Sequence, residues 1–176
     1  LILSWGIRSD NYSDFGSQLS PRLALLFHWN PYNTLKLIYS EAFRAPSASE
    51  LYSSSPVSQG NPDLKPEKLK NYELIWLQQI DNRQLQLSLF QSYWNDGIVS
   101  NIRIVNDFRY ENAEKNKAYG VTLASKWEYS VWETALSGSW VDSKNENINV
   151  DYGAFPDYLF SAMVGYRSSA LNSSIY

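Results

Sequence analysis

The 176 residues carry 15 Lys and Arg against 18 Asp and Glu, a net charge of −3, with a single His and no Cys. This balance offers no basic block for nucleic acid and no acidic tail for disorder, and without thiols there are neither disulfides nor thiolate metal sites. No run approaches the roughly 18 apolar residues of a membrane helix.

Alternation of apolar and polar residues, the period of a strand, governs most of the chain. In the first segment, residues 1–9, Leu3, Trp5 and Ile7 oppose Ser4 and Arg8. Residues 21–29 put Leu23, Leu25, Phe27 and Trp29 on one face. Leu35, Leu37 and Tyr39 alternate with Lys36, Ile38 and Ser40. Residues 71–79 place Tyr72, Leu74 and Trp76 opposite Glu73, and residues 84–94 place Leu85, Leu87 and Leu89 opposite Gln84, Gln86 and Ser88. Tyr119, Val121, Leu123, Trp127 and Tyr129 follow in 118–129, then Trp132, Leu136 and Trp140 in 132–140. Phe160, Ala162, Val164 and Tyr166 follow in 158–167. These are about eight strands of roughly 9–11 residues, the length with which a tilted strand crosses a bilayer. Residues 171–176 suggest part of a ninth. The chain starts inside a strand pattern with no signal peptide, so it is expected to be a section of a longer protein.

Tight turns are expected at residues 30–33, 80–83 and 130–131. Long polar connections are expected at 10–20, 43–68, 101–116 and 143–157, in strict alternation with the short ones. Long loops on one side and short turns on the other are the rule in transmembrane β-barrels.

Two patterns favour lipid over a soluble core as the environment of the apolar face. Charges inside strands (Arg8, Lys36, Glu73, Lys126, Glu128, Glu133, Arg167) all take the opposite parity; Glu41 and Asp142 depart from it beside long loops. A cation facing lipid at the midplane costs roughly 2–4 kcal/mol. Aromatic residues also fall into two belts. Tyr39, Tyr72, Tyr93, Tyr119, Trp140 and Tyr158 lie toward the long loops, and Trp29, Trp76, Trp127, Tyr129, Trp132 and Tyr166 toward the short turns, as at two membrane interfaces. The competing reading is a soluble, carbohydrate-binding β-sandwich, which would bury the same parity.

Residues 41–52, EAFRAPSASELY, are followed by GNPDLKPEKLKNYEL. The pair resembles a signature of the TonB-dependent outer-membrane receptors, carried here by Phe43, Arg44, Ala45 and Pro46, then Asn61, Pro62, Leu64, Pro66 and Glu67, then Tyr72 and Glu73. SPRLAL (20–25), FQSYWNDGI (90–98) and YENAEKNKAYGV (110–121) match the same family; Thr122 departs from it, since an acidic residue is usual there. The resemblance implies an all-β fold: 8–9 strands of an antiparallel transmembrane barrel of about 22 strands. All 176 residues would be one section of a single barrel domain, with the plug domain lying elsewhere. It further implies a receptor in the outer membrane of a Gram-negative bacterium, in contact with outer-membrane lipid. Its loops would capture a scarce ligand such as a ferric siderophore, and import would be driven by the TonB–ExbB–ExbD complex acting on the plug. Cobalamin, haem and glycans are the alternative cargoes. Closure as an eight-stranded barrel ending at Tyr176 is disfavoured, because Asn172 and Ser174 share its parity.

In the motif itself, Pro46 cannot donate to a ladder, so pairing should end there. Pro62 and Pro66 stiffen the return, and Asn61 can cap a turn. Arg44 has the parity of Lys36 and should point into the barrel mouth. A rigid corner is the main role expected of Phe43–Pro46, with ligand contact by Arg44 second. Further candidate ligand-binding residues are the loop aromatics and cations Tyr52, Arg103, Arg109, Tyr110, Tyr152 and Phe155. No catalytic constellation, cofactor, metal site or nucleic-acid surface is expected. His28 reads as a satisfied or solvated residue, and Asp142, Glu146 and Asp151 lack the spacing of a calcium loop.

Overall fold

A computed structural model describes residues 1–55, 58–100, 109–146, 150–151, 156–167 and 172–175. The strands are β1 (Ile2–Tyr12), β2 (Gly16–Asn30), β3 (Asn33–Arg44), β4 (Ser54–Ser55), β5 (Ser58–Gln59), β6 (Glu67–Ile80), β7 (Arg83–Ser100), β8 (Tyr110–Tyr129), β9 (Trp132–Asn145), β10 (Val150–Asp151), β11 (Tyr158–Arg167) and β12 (Asn172–Ile175). A five-residue helix, α1 (Ala48–Tyr52), lies between β3 and β4. One antiparallel sheet runs β1-β2-β3-β6-β7-β8-β9-β11-β12, with β10 paired to β9 and the hairpin β4-β5 apart from it. The path is open, with β1 and β12 at its ends: a section of barrel wall.

The expected tight turns are present as two-residue loops at 31–32, 81–82 and 130–131. Asp81 and Ser130 take positive φ, 48° and 54°, as such turns require. The connection expected over 10–20 is different. β1 and β2 remain paired out to Tyr12–Gly16, and only residues 13–15 form the loop. Elsewhere, too, ladders run past the alternating segments: β8 spans 20 residues and β7 spans 18. Where both faces of a strand meet water, hydrophobic alternation stops although pairing continues.

Register places Leu25, Leu37, Leu74, Leu89, Val121, Trp140 and Tyr158 in one row on one face. That face is open: Leu123 is 50% exposed, Leu136 56% and Phe160 76%. Among the described residues only Leu51 and Leu64 are buried hydrophobics, and both lie outside the wall. A sandwich would cover this row with a second sheet, and none is present among the described residues. The opposite, polar face is the concave one. One cavity there, of about 730 Å³, is lined by Thr34, Gln79, Gln86, Lys126, Ser137 and Ser161, from six different strands.

The charges of the polar parity meet on that face. Lys126 contacts Glu128 and Glu133, both at 2.9 Å, and Arg167 reaches Glu133 at 3.2 Å. Thr122 pairs its hydroxyl with that of Ser139 at 2.9 Å. His28 Nδ1 lies 2.8 Å from the Thr34 hydroxyl. Gly120 lets the wall close: a Cβ there would sit 2.5 Å from the Trp140 carbonyl oxygen and 2.7 Å from the Phe90 ring. On the outer face the belt rings touch across strands. Tyr39 and Tyr72 centroids are 5.0 Å apart, Tyr119 and Trp140 5.7 Å, and at the turn side Trp132 and Tyr166 5.0 Å. Trp76 donates its indole N–H to Asn33 Oδ1 at 3.0 Å, satisfying a polar group held at the interface.

Candidate functional site

At the loop-side rim, β3 leaves the ladder after Arg44. Ser47 then caps α1 through a capping box: its hydroxyl accepts the Glu50 amide at 3.3 Å, while its own amide donates to Glu50 Oε2 at 2.7 Å. This helix is not read from strand periodicity, but the Ser-x-x-Glu spacing of Ser47 and Glu50 is its signal. Leu51 is buried beneath it. The chain returns through Gly60, where a Cβ would meet the Leu51 carbonyl oxygen at 2.5 Å, and Asn61, whose amide donates to the Glu50 carbonyl at 2.8 Å.

Arg44 is the centre of this rim. Its guanidinium donates to both Glu67 oxygens, Nε at 2.7 Å and Nη2 at 2.6 Å, and to both Glu50 oxygens at 3.0 and 3.1 Å. One planar fork therefore ties the end of β3 to the start of β6 and to the capping-box glutamate of α1. Glu67, 5% exposed, also accepts the Ile98 amide at 2.8 Å. That amide is aimed at it by a bulge in β7 around Asp96 and Gly97, where Asp96 has φ 57°.

A second set of bonds joins the same loop to the start of β8. Asn61 donates to the Tyr110 carbonyl at 2.8 Å and accepts from Arg109 Nη2 at 3.0 Å; its Oδ1 also holds the Asp63 amide at 3.1 Å. Asn112 accepts the Lys65 amide and donates to the Lys65 carbonyl, both at 2.8 Å, and reaches the Asp96 carbonyl at 2.7 Å. The three motif segments, 43–67, 90–98 and 110–121, thus converge on one latch.

Arg44, Arg109 and Tyr110 belong to this latch, and Tyr52 ends α1 beside it with its ring exposed. Arg103, Tyr152 and Phe155 lie outside the described residues. Glu50, Ile98 and Asn112 join the site unannounced. Glu50 has its capping signal; Asn112 carries no local signal, because its role exists only once β7 and the motif loop face it. Just inside the latch the concave face holds a cavity of about 750 Å³. Leu69, Trp94 and Val141 supply apolar wall, and Ser92, Ser139 and Ser143 supply hydroxyls. Such a lining suits a ligand with an apolar body and few polar handles. Among the described residues no cluster of His, Cys, Asp or Glu could hold a metal ion.

Burial works to raise the pKa of Glu50 and of Glu67. Hydrogen bonds from Arg44, joined by the Ser47 amide at Glu50 and the Ile98 amide at Glu67, outweigh it and leave both below the ordinary carboxylate value. A released latch therefore binds more protons than a closed one. Its stability is complete above the ordinary glutamate value of about 4.3 and is lost as pH falls below that, through the lower closed-state values. Hydrogen exchange of the Ile98 amide in the intact protein, corrected for intrinsic rate, should show flat protection from pH 7 to about 4.5 and decline only below. A decline between pH 7 and 5 would mean that other groups hold the loop.

The sequence matches the TonB dependent receptor-like β-barrel family over residues 1–174. It is 29% identical over 164 residues to a probable TonB-dependent siderophore receptor, PirA, of Acinetobacter baumannii, covering 84% of this chain and 21% of that protein. It is 27% identical over 142 residues to the vitamin B12 transporter BtuB of Vibrio vulnificus, covering 80% of this chain and 23% of that one. Its fold superposes on a mutant of the ferric enterobactin receptor PfeA of Pseudomonas aeruginosa with a TM-score of 0.84 at 21% identity, over 95% of this chain and 28% of the other. The chain thus spans between a fifth and three tenths of these proteins. With one match running nearly end to end and a wall built as such a barrel requires, this chain belongs to the TonB-dependent receptor β-barrel family.

Proposed function

We propose that the chain forms part of the wall and outer vestibule of a receptor in the outer membrane of a Gram-negative bacterium, and that the receptor imports a ferric siderophore. The observation that carries the class is the family match over residues 1–174. Siderophore as cargo is supported by the likeness to PirA over 84% of the chain. In this reading residues 1–176 are one section of a single barrel domain, and a plug domain elsewhere in the parent protein contacts TonB and, through it, ExbB and ExbD. The chain supplies no chemistry to an enzyme; its work is to capture ligand and line its path. The apolar cavity inside the latch, with its rim of hydroxyls, is the stretch of wall best suited to touch a bound chelate, and Arg44 acts by holding the rim rather than by meeting ligand. Tyr52, Arg109 and Tyr110, with Arg103, Tyr152 and Phe155, are proposed as loop contacts for ligand arriving from outside.

Uptake of radiolabelled iron chelates by cells carrying the full-length protein, with and without functional TonB, tests this. TonB-dependent uptake of one chelate is the expected result. A correctly inserted protein that imports no chelate but does import cobalamin would move the cargo to the second reading, which rests on the likeness to BtuB. A protein soluble in the periplasm would overturn the class.

A further inference from the structure

A second cavity at the loop-side rim, of about 470 Å³, lies between the β1–β2 turn and the returning motif loop. It shares no lining residue with the cavity of about 750 Å³ inside the latch. Glu67 lines the inner cavity and Lys68 the second one, as neighbours on a strand take opposite faces. The β1–β2 turn contributes Asp14, Phe15 and Gln18, and the bulge of β7 contributes Asp96. The motif loop adds Pro62, Leu64 and Pro66 as apolar wall, with Lys65 and Lys68 as cations. Asp63 also lines the cavity and lies 3.9 Å from Arg109.

The other four charges of this cavity do not neutralise one another. Asp14, Asp96, Lys65 and Lys68 make no ion pair among the described residues, although both signs line one cavity. The backbone that carries them is fixed. Asn112 donates to the carbonyls of Lys65 at 2.8 Å and of Asp96 at 2.7 Å, and accepts the Lys65 amide at 2.8 Å. One side chain thus locks a cation-bearing residue beside an anion-bearing one. Asp96 itself sits in the bulge at φ 57°, a conformation that Asp tolerates better than most residues. In the β1–β2 turn, Gln18 donates its amide to the Phe15 carbonyl at 3.4 Å, and the rings of Phe15 and Tyr12 lie 4.4 Å apart. Rigid walls that keep opposite charges apart are complementary to a ligand carrying both. A metal ion does not fit that description: the carboxylates form no metal-binding group among the described residues, and the two lysines would repel it.

We propose that this cavity binds a small zwitterion of the size of a di- or tripeptide. Asp14 and Asp96 take its ammonium, Lys65 and Lys68 take its carboxylate, and an apolar side chain rests on Phe15 and Pro62. The volume falls within the roughly 300–1,000 Å³ of small-molecule pockets, which join apolar wall to a few polar handles. A ligand with a single charge would leave the residues of the other sign without a partner. The bound zwitterion bridges the β1–β2 turn, the motif loop and the β7 bulge. The site is independent of the cargo reading, since it touches none of the residues that line the inner cavity.

The intact protein in detergent micelles is titrated by ligand-observed NMR with the tripeptide Gly-Leu-Gly, and in parallel with its N-acetylated and its C-amidated forms. The free tripeptide should bind, and either blocking group should weaken binding about tenfold, the loss of one charge-assisted contact. D96N should weaken binding of the free tripeptide to a similar extent. It should also abolish the effect of N-acetylation while preserving that of amidation, and K65Q should do the converse. K126Q, on the concave face, should match the wild type. Folding of each variant is checked by circular dichroism, and D14N and K68Q, at exposed positions, take the place of D96N and K65Q if either fails to fold. No binding of the free tripeptide at millimolar concentration overturns the proposal. So does equal binding of the free and blocked forms, or wild-type affinity in both D96N and K65Q. Binding that K126Q alone abolishes would put the ligand on the concave face and overturn this site as well. None of these results bears on chelate uptake, so failure here leaves the cargo reading standing.

Discussion

Replacing Arg44 with alanine is expected to open the rim latch while leaving the barrel wall intact. The substitution removes four charge-assisted hydrogen bonds at once. It leaves Glu67 buried with the Ile98 amide as its remaining donor among the described residues. Stranding a buried carboxylate costs about 3–5 kcal/mol; Arg44 itself is half exposed, so solvent recovers part of this, and about 2–4 kcal/mol of latch stability should be lost. Hydrogen exchange on the full-length receptor should then show the amides of Leu51, Gly60, Asn61 and Ile98 exchanging about 30- to 1000-fold faster. Amides in the middle of β6 and β7 should be unchanged. Arg44→Lys should restore only part of the protection, because an ammonium cannot span two carboxylates with a planar fork. Unchanged exchange at Ile98 would show that the Asn61 and Asn112 bonds hold the loop by themselves.

Leu123→Arg should destabilise the protein in a bilayer by about 2–4 kcal/mol, whereas Thr122→Arg, one residue away, should cost less than about 1 kcal/mol. Leu123 lies on the outer face in one row with Leu35, Trp76 and Leu87, midway between the belt residues Tyr119 and Trp127 of its own strand. Thr122 lies on the concave face beside Ser139, where an arginine can reach water. Urea unfolding of the full-length receptor in lipid vesicles measures both variants against wild type. Equal costs, or a larger cost at Thr122, would mean that the outer face is not the lipid face.

Between the belts, the candidate membrane wall could be read from residue order because lipid imposes a one-residue rule. Every second side chain must be apolar, and a slip by one would drive Lys36, Glu73 or Lys126 into hydrocarbon. The tight turns at 31–32, 81–82 and 130–131 could be read for a related reason: only a short polar break can reverse a strand without losing register. The motif at Phe43–Glu67 also marked where the wall pauses.

Away from the belts the same logic fails. Residues 10–20 resemble a loop because water on both faces removes the alternation, yet the ladder from Ile2–Leu26 to Tyr12–Gly16 continues through them. The capping box of Ser47 and Glu50 was visible in residue order, but the second duty of Glu50, binding Arg44, was not. The roles of Asn112 and Ile98 were hidden entirely, since each depends on a partner 47 or 31 residues away in sequence. What the sequence by itself determined was the fold class and the two faces of the wall, because alternation is a local property that solvent enforces residue by residue. What only the tertiary structure decided was how far each strand runs and which loop residues form the latch. Those depend on register between strands, which no single segment contains.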